Sequence, residues 1–257
     1  MRKVIGIGET ILDILFKNNQ PTVAVPGGSV FNGLVSLGRA GANVTFISEV
    51  GGDHVGDIIL NFMKDNGIST DNVKVYPDRK SPISLAFLNE KNDAEYSFYK
   101  DYPSLRLDVD MPEVTSEDIV MFGSFYAITP QLRDKVKELL DKAREAGAII
   151  YYDVNFRSTH AYEAIKLMPT ILENFEYADI VRGSNEDFGY MFGMTDADKV
   201  YQHKVASIAR DSSAPMEAMA CVSVPRPSRR TIRWHPYRRS APSEQATTSM
   251  PAWCSAS

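Results

Sequence analysis

The sequence predicts an α/β fold built on a mostly parallel sheet, and three observations predict it. Short apolar runs that end in glycine or in a polar turn recur between residues 3 and 181. Segments with helical periodicity lie between those runs, so that strand and helix alternate. With 257 residues, 44% of them apolar, the chain is long enough to bury a sizeable core.

The elements follow in order. Residues 3–8, KVIGIG, read as a buried first strand. Residues 32–41 carry Leu34, Val35 and Leu37 at helical spacing and stop at Gly41. Residues 43–50, NVTFISEV, form the next strand, after which Gly51, Gly52 and Asp53 turn the chain into a helix through 58–63. Residues 84–88 and 96–100 gather β-formers around a polar turn at 89–93. That hairpin does not fit the alternation and reads as a separate flap. Residues 119–122 are a strand, 129–146 an amphipathic helix stopped by Gly147, and 148–154, AIIYYDV, a strand; another begins at 180–181. No internal repeat is present.

Composition excludes several functional classes. The net charge of −5 argues against a nucleic-acid partner. Two cysteines cannot staple a secreted scaffold, and no apolar run reaches the roughly 18 residues that a membrane span needs. The opening segment resembles a signal peptide, but Glu9 and Asp13 interrupt it and no small-residue cleavage site follows. A cytoplasmic protein with no membrane partner is expected.

A seam lies near residue 204. All 16 glycines and all 12 phenylalanines fall before it, giving the body a net charge of −9. Residues 205–257 carry +4, with seven Arg, both Trp and both Cys, and no Gly, Phe, Leu, Lys or Asn. A basic interaction tail fits the charge, but such tails are seldom rich in Trp and Cys. Irregular, loosely packed chain is expected there, with Trp234 and Trp253 outside the main core.

Several motifs could carry chemistry. Gly6-x-Gly8 lacks the third glycine of a dinucleotide fingerprint, which would fall at Ile11, and no P-loop occurs. Gly27 and Gly28 precede Ser29, Val30, Phe31 and Asn32 where a loop enters a helix. Paired glycines permit close backbone approach by a ligand, and Asn32 offers a donor and an acceptor. Taken alone, a plain turn with an Asn cap is the simpler account. Asp13 follows the first strand at a carboxyl end, where open α/β sheets place ligands, although a solvated loop acid fits equally. Asp153, Asn155 and Arg157 alternate past a strand end, so alternation would put all three on one side. Asn185, Glu186 and Asp187 follow the next strand, where a helix cap competes with a ligand role. The four histidines are isolated, and no metal-ligand spacing appears.

Taken in order, GxGE…D, PGGSVFN, GGDxxG, a β-flap, DVNFR and an Asn-Glu motif resemble the ribokinase-like (PfkB) carbohydrate kinases over residues 1–204. GETILDILF, PGGSVFN, SFYKD and YDVNFR are most similar to fructokinases. The resemblance implies a three-layer α/β sandwich with a small β-sheet lid, here with flap segments near 12–24 and 83–101. The lid covers the sugar and often joins two copies as a homodimer. It implies ATP and Mg²⁺ as cofactors and a small sugar as partner, D-fructose giving fructose 6-phosphate. Ribose, 2-keto-3-deoxygluconate or a nucleoside are alternatives, as is a non-catalytic sugar-binding remnant. Asp13, Gly27, Gly28 and Asn32 would bind the sugar, Lys100 would approach it from the flap, and Asp153, Asn155 and Arg157 would line the sugar and phosphate path. These groups should converge on one cleft at the carboxyl edge of the sheet. Asn185 matches the start of the family's Asn-x-x-Glu motif for Mg²⁺ and phosphates. Its fourth position is Phe188, leaving Glu186 to act.

The family also implies a Thr-x-Gly-x-x-Gly segment and a Gly-Ala-Gly-Asp helix start, whose Asp is the base. With no glycine after residue 204, this chain carries neither, so its catalytic third is missing and no catalytic residue is assigned. Read one nucleotide earlier, Met216-Glu217 and Met219-Ala220 force two glycines, and Met250-Pro251 forces an alanine. Residues 243–247 permit Gly-Ala-Gly-Asp in the same frame. A frameshift between about His203 and Ala206 accounts for the seam.

Overall fold

The computed structural model describes residues 2–89, 94–156, 158–200, 203 and 220–223. It contains two compact units, one over the first 112 residues and one from residue 113 onward.

In the first unit the chain runs β1 (Lys3–Ile7), β2 (Ile11–Lys17), β3 (Gln20–Gly27), α1 (Ser29–Arg39), β4 (Asn43–Gly51), α2 (His54–Asp65), β5 (Ile68–Ser69), β6 (Val73–Tyr76), β7 (Ile83–Leu88) and β8 (Ala94–Tyr99). β1 pairs parallel with β4, and β4 pairs parallel with both β5 and β6. Val4, Ile5 and Ile7 of β1 and Phe46 and Ile47 of β4 are buried, as the near-continuous apolar runs require of strands covered on both faces. Phe31 of α1 lies on Phe46, ring centroids 5.5 Å apart. The helix starts at Ser29 rather than at residue 32 because Gly28 is its N-cap and releases the preceding loop.

A second, four-stranded sheet has the order β3-β2-β7-β8. β2 and β3 form a hairpin whose turn residues, Asn18 and Asn19, both have positive φ, the geometry of a type I′ turn. β2 then pairs parallel with β7, and β7 pairs antiparallel with β8. The two segments read as a flap thus join in one sheet. It leaves Val23, Val25, Phe87, Tyr96, Phe98 and Tyr99 exposed.

The second unit runs β9 (Ile119–Gly123), α3 (Arg133–Ala146), β10 (Ile149–Asp153), α4 (Ala164–Tyr177), β11 (Ile180–Gly183), α5 (Asn185–Phe192), α6 (Ala197–Val200) and β12 (Ala220–Ser223). β9, β10 and β11 are parallel neighbours in that order. α3 begins four residues later than its periodicity suggests, because Pro130 lacks an N–H and residues 130–132 wind as a 3₁₀ turn. Gly147 ends α3 in the left-handed region at φ 73°, as the stop signal requires. Arg133 of α3 ties the two helices by reaching Glu173 at 2.6 Å and Asn174 at 2.6 Å on α4.

One expectation for the tail is corrected here. Ala220–Ser223 is not irregular but pairs antiparallel with β11. An unpaired β11 edge offers a row of N–H and C=O groups, and a short β-competent stretch suffices to meet them. Trp234, Trp253 and the remainder of the tail after Ser223 lie outside the described residues. Among the described residues no helix is long and apolar enough to cross a membrane.

Candidate functional site

The first unit gathers its polar side chains where β1, the flap sheet and the start of α1 meet. Asp13 on β2 accepts a hydrogen bond from the Ser84 hydroxyl on β7, a pairing set by the register that places the two residues opposite each other. Gly27 faces the same carboxylate, and a Cβ there would strike Asp13 Oδ2. Gly28 has φ 144° and ψ 147°, and a Cβ on it would collide with the Glu9 carbonyl oxygen. Glycine is therefore required at position 28 both for its backbone conformation and for its contact. Asn32, half-buried, lies in the first turn of α1, its backbone N–H bonded to Gly28 O at 2.9 Å.

Lys100, just past β8, is not a free cation. Its ammonium donates to Glu9 Oε1 at 2.7 Å, and the Tyr102 hydroxyl donates to the same oxygen. Behind Tyr102 stands the Arg106 guanidinium, 3.4 Å from the ring centroid. Arg106 in turn pairs with Glu49 on β4, the two side chains only 8% and 3% exposed. Glu9, Ser84 and Tyr102 are the residues that the motif reading missed. Glu9 was visible as an acid directly after the strand-ending Gly8. Ser84 and Tyr102 carry no local signal, because long-range pairing alone brings them in.

Asp53 belongs to a structural device instead. It caps α2, accepting from Gly56 N at 2.9 Å, Ser81 Oγ at 2.7 Å and Ser81 N at 3.1 Å. Burial pushes its carboxyl up, but the Ser81 and Gly56 donors outweigh this and hold it below its ordinary value.

In the second unit Asp153 ends β10 and is buried, with Arg182 Nη1 of β11 2.9 Å from its Oδ1. Burial works against the Arg182 charge, yet Asp153 beside it more than restores it. The alternation expected of Asp153 and Asn155 does not survive. The strand stops at Asp153, Val154 N bonds Arg182 O at 2.8 Å, and Asn155 turns into the left-handed region at φ 38°. Arg157 lies outside the described residues. Next to Asp153 the chain carries a strained serine: Ser124 has φ 54° and ψ −165°, a region essentially reserved for glycine. Its N–H is held by Asp153 O at 2.9 Å.

Ser184 and Asp187, not Asn185, form the cap of α5, each side chain bonding the other's backbone. Asn185 and Glu186 are left exposed in the first turn. Phe188 is a core residue, 1% exposed. A Cβ on Gly183 would lie 2.8 Å from its ring. Among the described residues no cluster of three or more His, Cys, Asp or Glu could hold a metal ion.

Comparison with known proteins adds the lineage. The profile of the pfkB family carbohydrate kinases matches residues 1–210. The probable chloroplastic fructokinase-6 of Arabidopsis thaliana is 27% identical over 200 residues, covering 73% of this chain and 52% of that protein. Fructokinase-2 of Solanum habrochaites is 22% identical, covering 76% and 63%. The chain thus spans between about half and two thirds of these relatives. Among solved structures, Vibrio cholerae fructokinase with fructose, ADP and calcium ion bound superposes with a TM-score of 0.70 at 19% identity, covering 81% of this chain and 68% of that one. Aminoimidazole riboside kinase from Salmonella enterica, bound to its riboside and an ATP analogue, gives 0.65 at 23% identity, covering 79% and 68%.

Proposed function

Because the chain belongs to the pfkB family of carbohydrate kinases, we propose that its lineage activity is phosphorylation of a small sugar, with D-fructose as the acceptor and ATP as the donor. The observation that carries this reading is the cluster in the first unit. A half-buried carboxylate (Asp13) bonded to Ser84, a buried Gly27 and half-buried Gly28 beside it, Asn32 in the helix turn that Gly28 starts, and a flap cation (Lys100) bonded to Glu9 lie in one neighbourhood. Such a set supplies several acceptors and donors for hydroxyl groups and little apolar surface, which suits a sugar. Relatives described as fructokinases favour fructose over ribose, a nucleoside or 2-keto-3-deoxygluconate. In the second unit, Asp153 and Asn155 are assigned to the sugar and phosphate path together with Arg157.

ATP with Mg²⁺ would supply the phosphoryl group and neutralise its charge. Asn185 and Glu186 fit a contact to phosphate or to metal-bound water, since both are exposed in a helix first turn and outside the capping box. Phe188 offers no ligand. A homodimer formed through the flap sheet accords with its exposed aromatic residues.

We assign residues 205–257 to a shifted reading frame. Two findings support this: all glycines precede residue 205, and the family match ends at residue 210. Without the glycine-rich helix start and its Asp, this chain lacks a base and an anion site, and on this reading it would bind sugar without turning it over. The test is a coupled ATPase assay across a sugar panel, on this chain and on a frame-restored version, together with the nucleotide sequence across codons 203–251. We expect no turnover above background from the first and fructose-dependent turnover from the second. Robust activity of this chain, or no Gly-Ala-Gly-Asp codons in the alternative frame, would overturn the assignment.

A further inference from the structure

The parallel strands of the second unit end at β11, and one short strand closes them off. β12 pairs antiparallel along the whole of β11, with Val181 opposite Val222 and Gly183 opposite Ala220. Among the described residues nothing else pairs with that side of β11. The Arg182 carbonyl accepts from Val154 N on the β10 side at 2.8 Å. Backbone groups of successive strand residues point to opposite edges, so those of Val181 and Gly183 face outward. Val222 and Ala220 are then the residues that exchange hydrogen bonds with them.

β11 carries none of the features that keep an edge from recruiting another chain. It has no proline and no lysine, and its register with both neighbours is unbroken. Its apolar residues Ile180 and Val181 are buried. Its one charge, Arg182, is turned to Asp153 at 2.9 Å. β12 is different. It is four residues long. The sequence that follows, Val224-Pro225-Arg226-Pro227-Ser228-Arg229-Arg230, sets two prolines beside three arginines. The prolines bring no N–H to a ladder, and the arginines repel a like chain.

The partner that an uncovered β11 fits is a second β11. The strand already accepts an antiparallel neighbour, and two copies related by a two-fold axis would present this edge to each other in that sense. An axis at Val181 pairs Val181 with its own copy and Ile180 with Arg182, and the outward-facing Val181 groups then exchange both bonds. An axis at Arg182 sets two like charges directly opposite, which is unfavourable. We infer that Ala220–Ser223 is a guard strand, and that the edge it covers is a self-association surface on which a second copy of this chain pairs through Val181 once the guard is displaced.

The test is light scattering coupled to size exclusion on the full chain, from about 5 to about 200 µM, under reducing conditions that keep Cys221 out of disulfides. Val222→Pro removes the N–H that meets Val181. At the upper concentration its mass should be at least twice that of wild type. Hydrogen exchange at Val181 and Gly183 should be faster than wild type in the dilute variant, and should slow by about tenfold or more as the variant is concentrated. An excess of a peptide copying residues 218–225 should return the variant to the wild-type mass. Ala220→Pro, which breaks the other bonded pair, gives the same readout if Val222→Pro fails to fold. Ser228→Pro, beyond the strand, should change nothing. An unchanged mass in both strand variants overturns the inference. A mass increase that leaves the Val181 and Gly183 amides unprotected, or that the peptide does not reverse, overturns it too, since the copies then meet on another face.

Discussion

Replacing Arg106 by methionine is the sharpest test of how the flap return is held. In the native chain the Glu49 carboxylate, 3% exposed, is met by the Arg106 guanidinium and by Leu107 N at 2.8 Å. Methionine fills much of the space but leaves that carboxylate with one neutral donor in a dry site. Breaking a buried pair from one side costs about 3–5 kcal/mol, because the surviving charge stays buried. Loss of the guanidinium from the Tyr102 face adds about 0.5–1 kcal/mol. Leu107 sits at φ 51°, a strained conformation for a bulky residue, and its N–H is anchored by the same carboxylate. Some of that strain is released once the anchor weakens, which offsets part of the loss. A net cost of about 4 kcal/mol follows, a large share of a typical domain's stability. With a urea m-value of about 2 kcal/mol/M the midpoint should fall by about 2 M. The double variant Glu49→Gln/Arg106→Met removes the orphaned charge and should recover at least about half of the loss. A single variant within about 1 kcal/mol of wild type, or a double variant no better than the single, would refute the reasoning.

Three further outcomes can be checked by thermal unfolding. Ser124→Gly should raise the midpoint, by the equivalent of about 1–3 kcal/mol, since glycine accepts φ 54°, ψ −165° without strain; a lowered midpoint would show that the serine side chain is needed where it stands. Gly28→Ala should cost about 3 kcal/mol, because φ 144° is retained only at strain and the new methyl meets the Glu9 carbonyl; unchanged stability would mean that the loop yields. Asp53→Ala should cost about 1–2 kcal/mol near neutral pH through loss of the α2 cap. Since the Asp53 carboxyl is held below its ordinary 3.8, the stability it supplies is present above that value and disappears as pH falls through its lower folded value. The gap between wild type and variant should therefore close in acid, and a gap that stays constant down to about pH 2 would contradict the assignment.

The parallel strands were legible because residues covered on both faces need unbroken apolar runs: KVIGI, NVTFISEV, IVMF and IIYYD all lie in the strands they suggested. The hairpin of β2 and β3 went unread from the residues, although its turn, Asn18-Asn19, has side chains tolerant of the left-handed region that both adopt. α4 was illegible, since Pro169 lies inside it and speaks against a helix. In the candidate site, Asp13 and the glycine pair could be found from local pattern. The Glu9–Lys100 bond joins residues 91 positions apart, and no local spacing encodes it. Which residue caps α5 was not legible, because a capping box and an Asn-x-x-Glu motif share the same spacing, and the cap falls to Ser184 and Asp187, one residue ahead of Asn185.

The parallel pairing of β2 with β7 makes the flap sheet a product of two separate moments in synthesis. The hairpin of β2 and β3 closes locally and can form in microseconds once it leaves the ribosome. Its partner hairpin begins at Ile83, roughly 55 residues later, which corresponds to about 3–11 s at ordinary translation speeds. Throughout that interval the inner edge of β2 stands open with Leu12, Ile14 and Phe16 on it, a template for any neighbouring nascent chain. Elongation speed across residues 28–82 therefore sets how long this protein is vulnerable. Synonymous codon changes in that stretch should alter its soluble yield without altering one amino acid of the product.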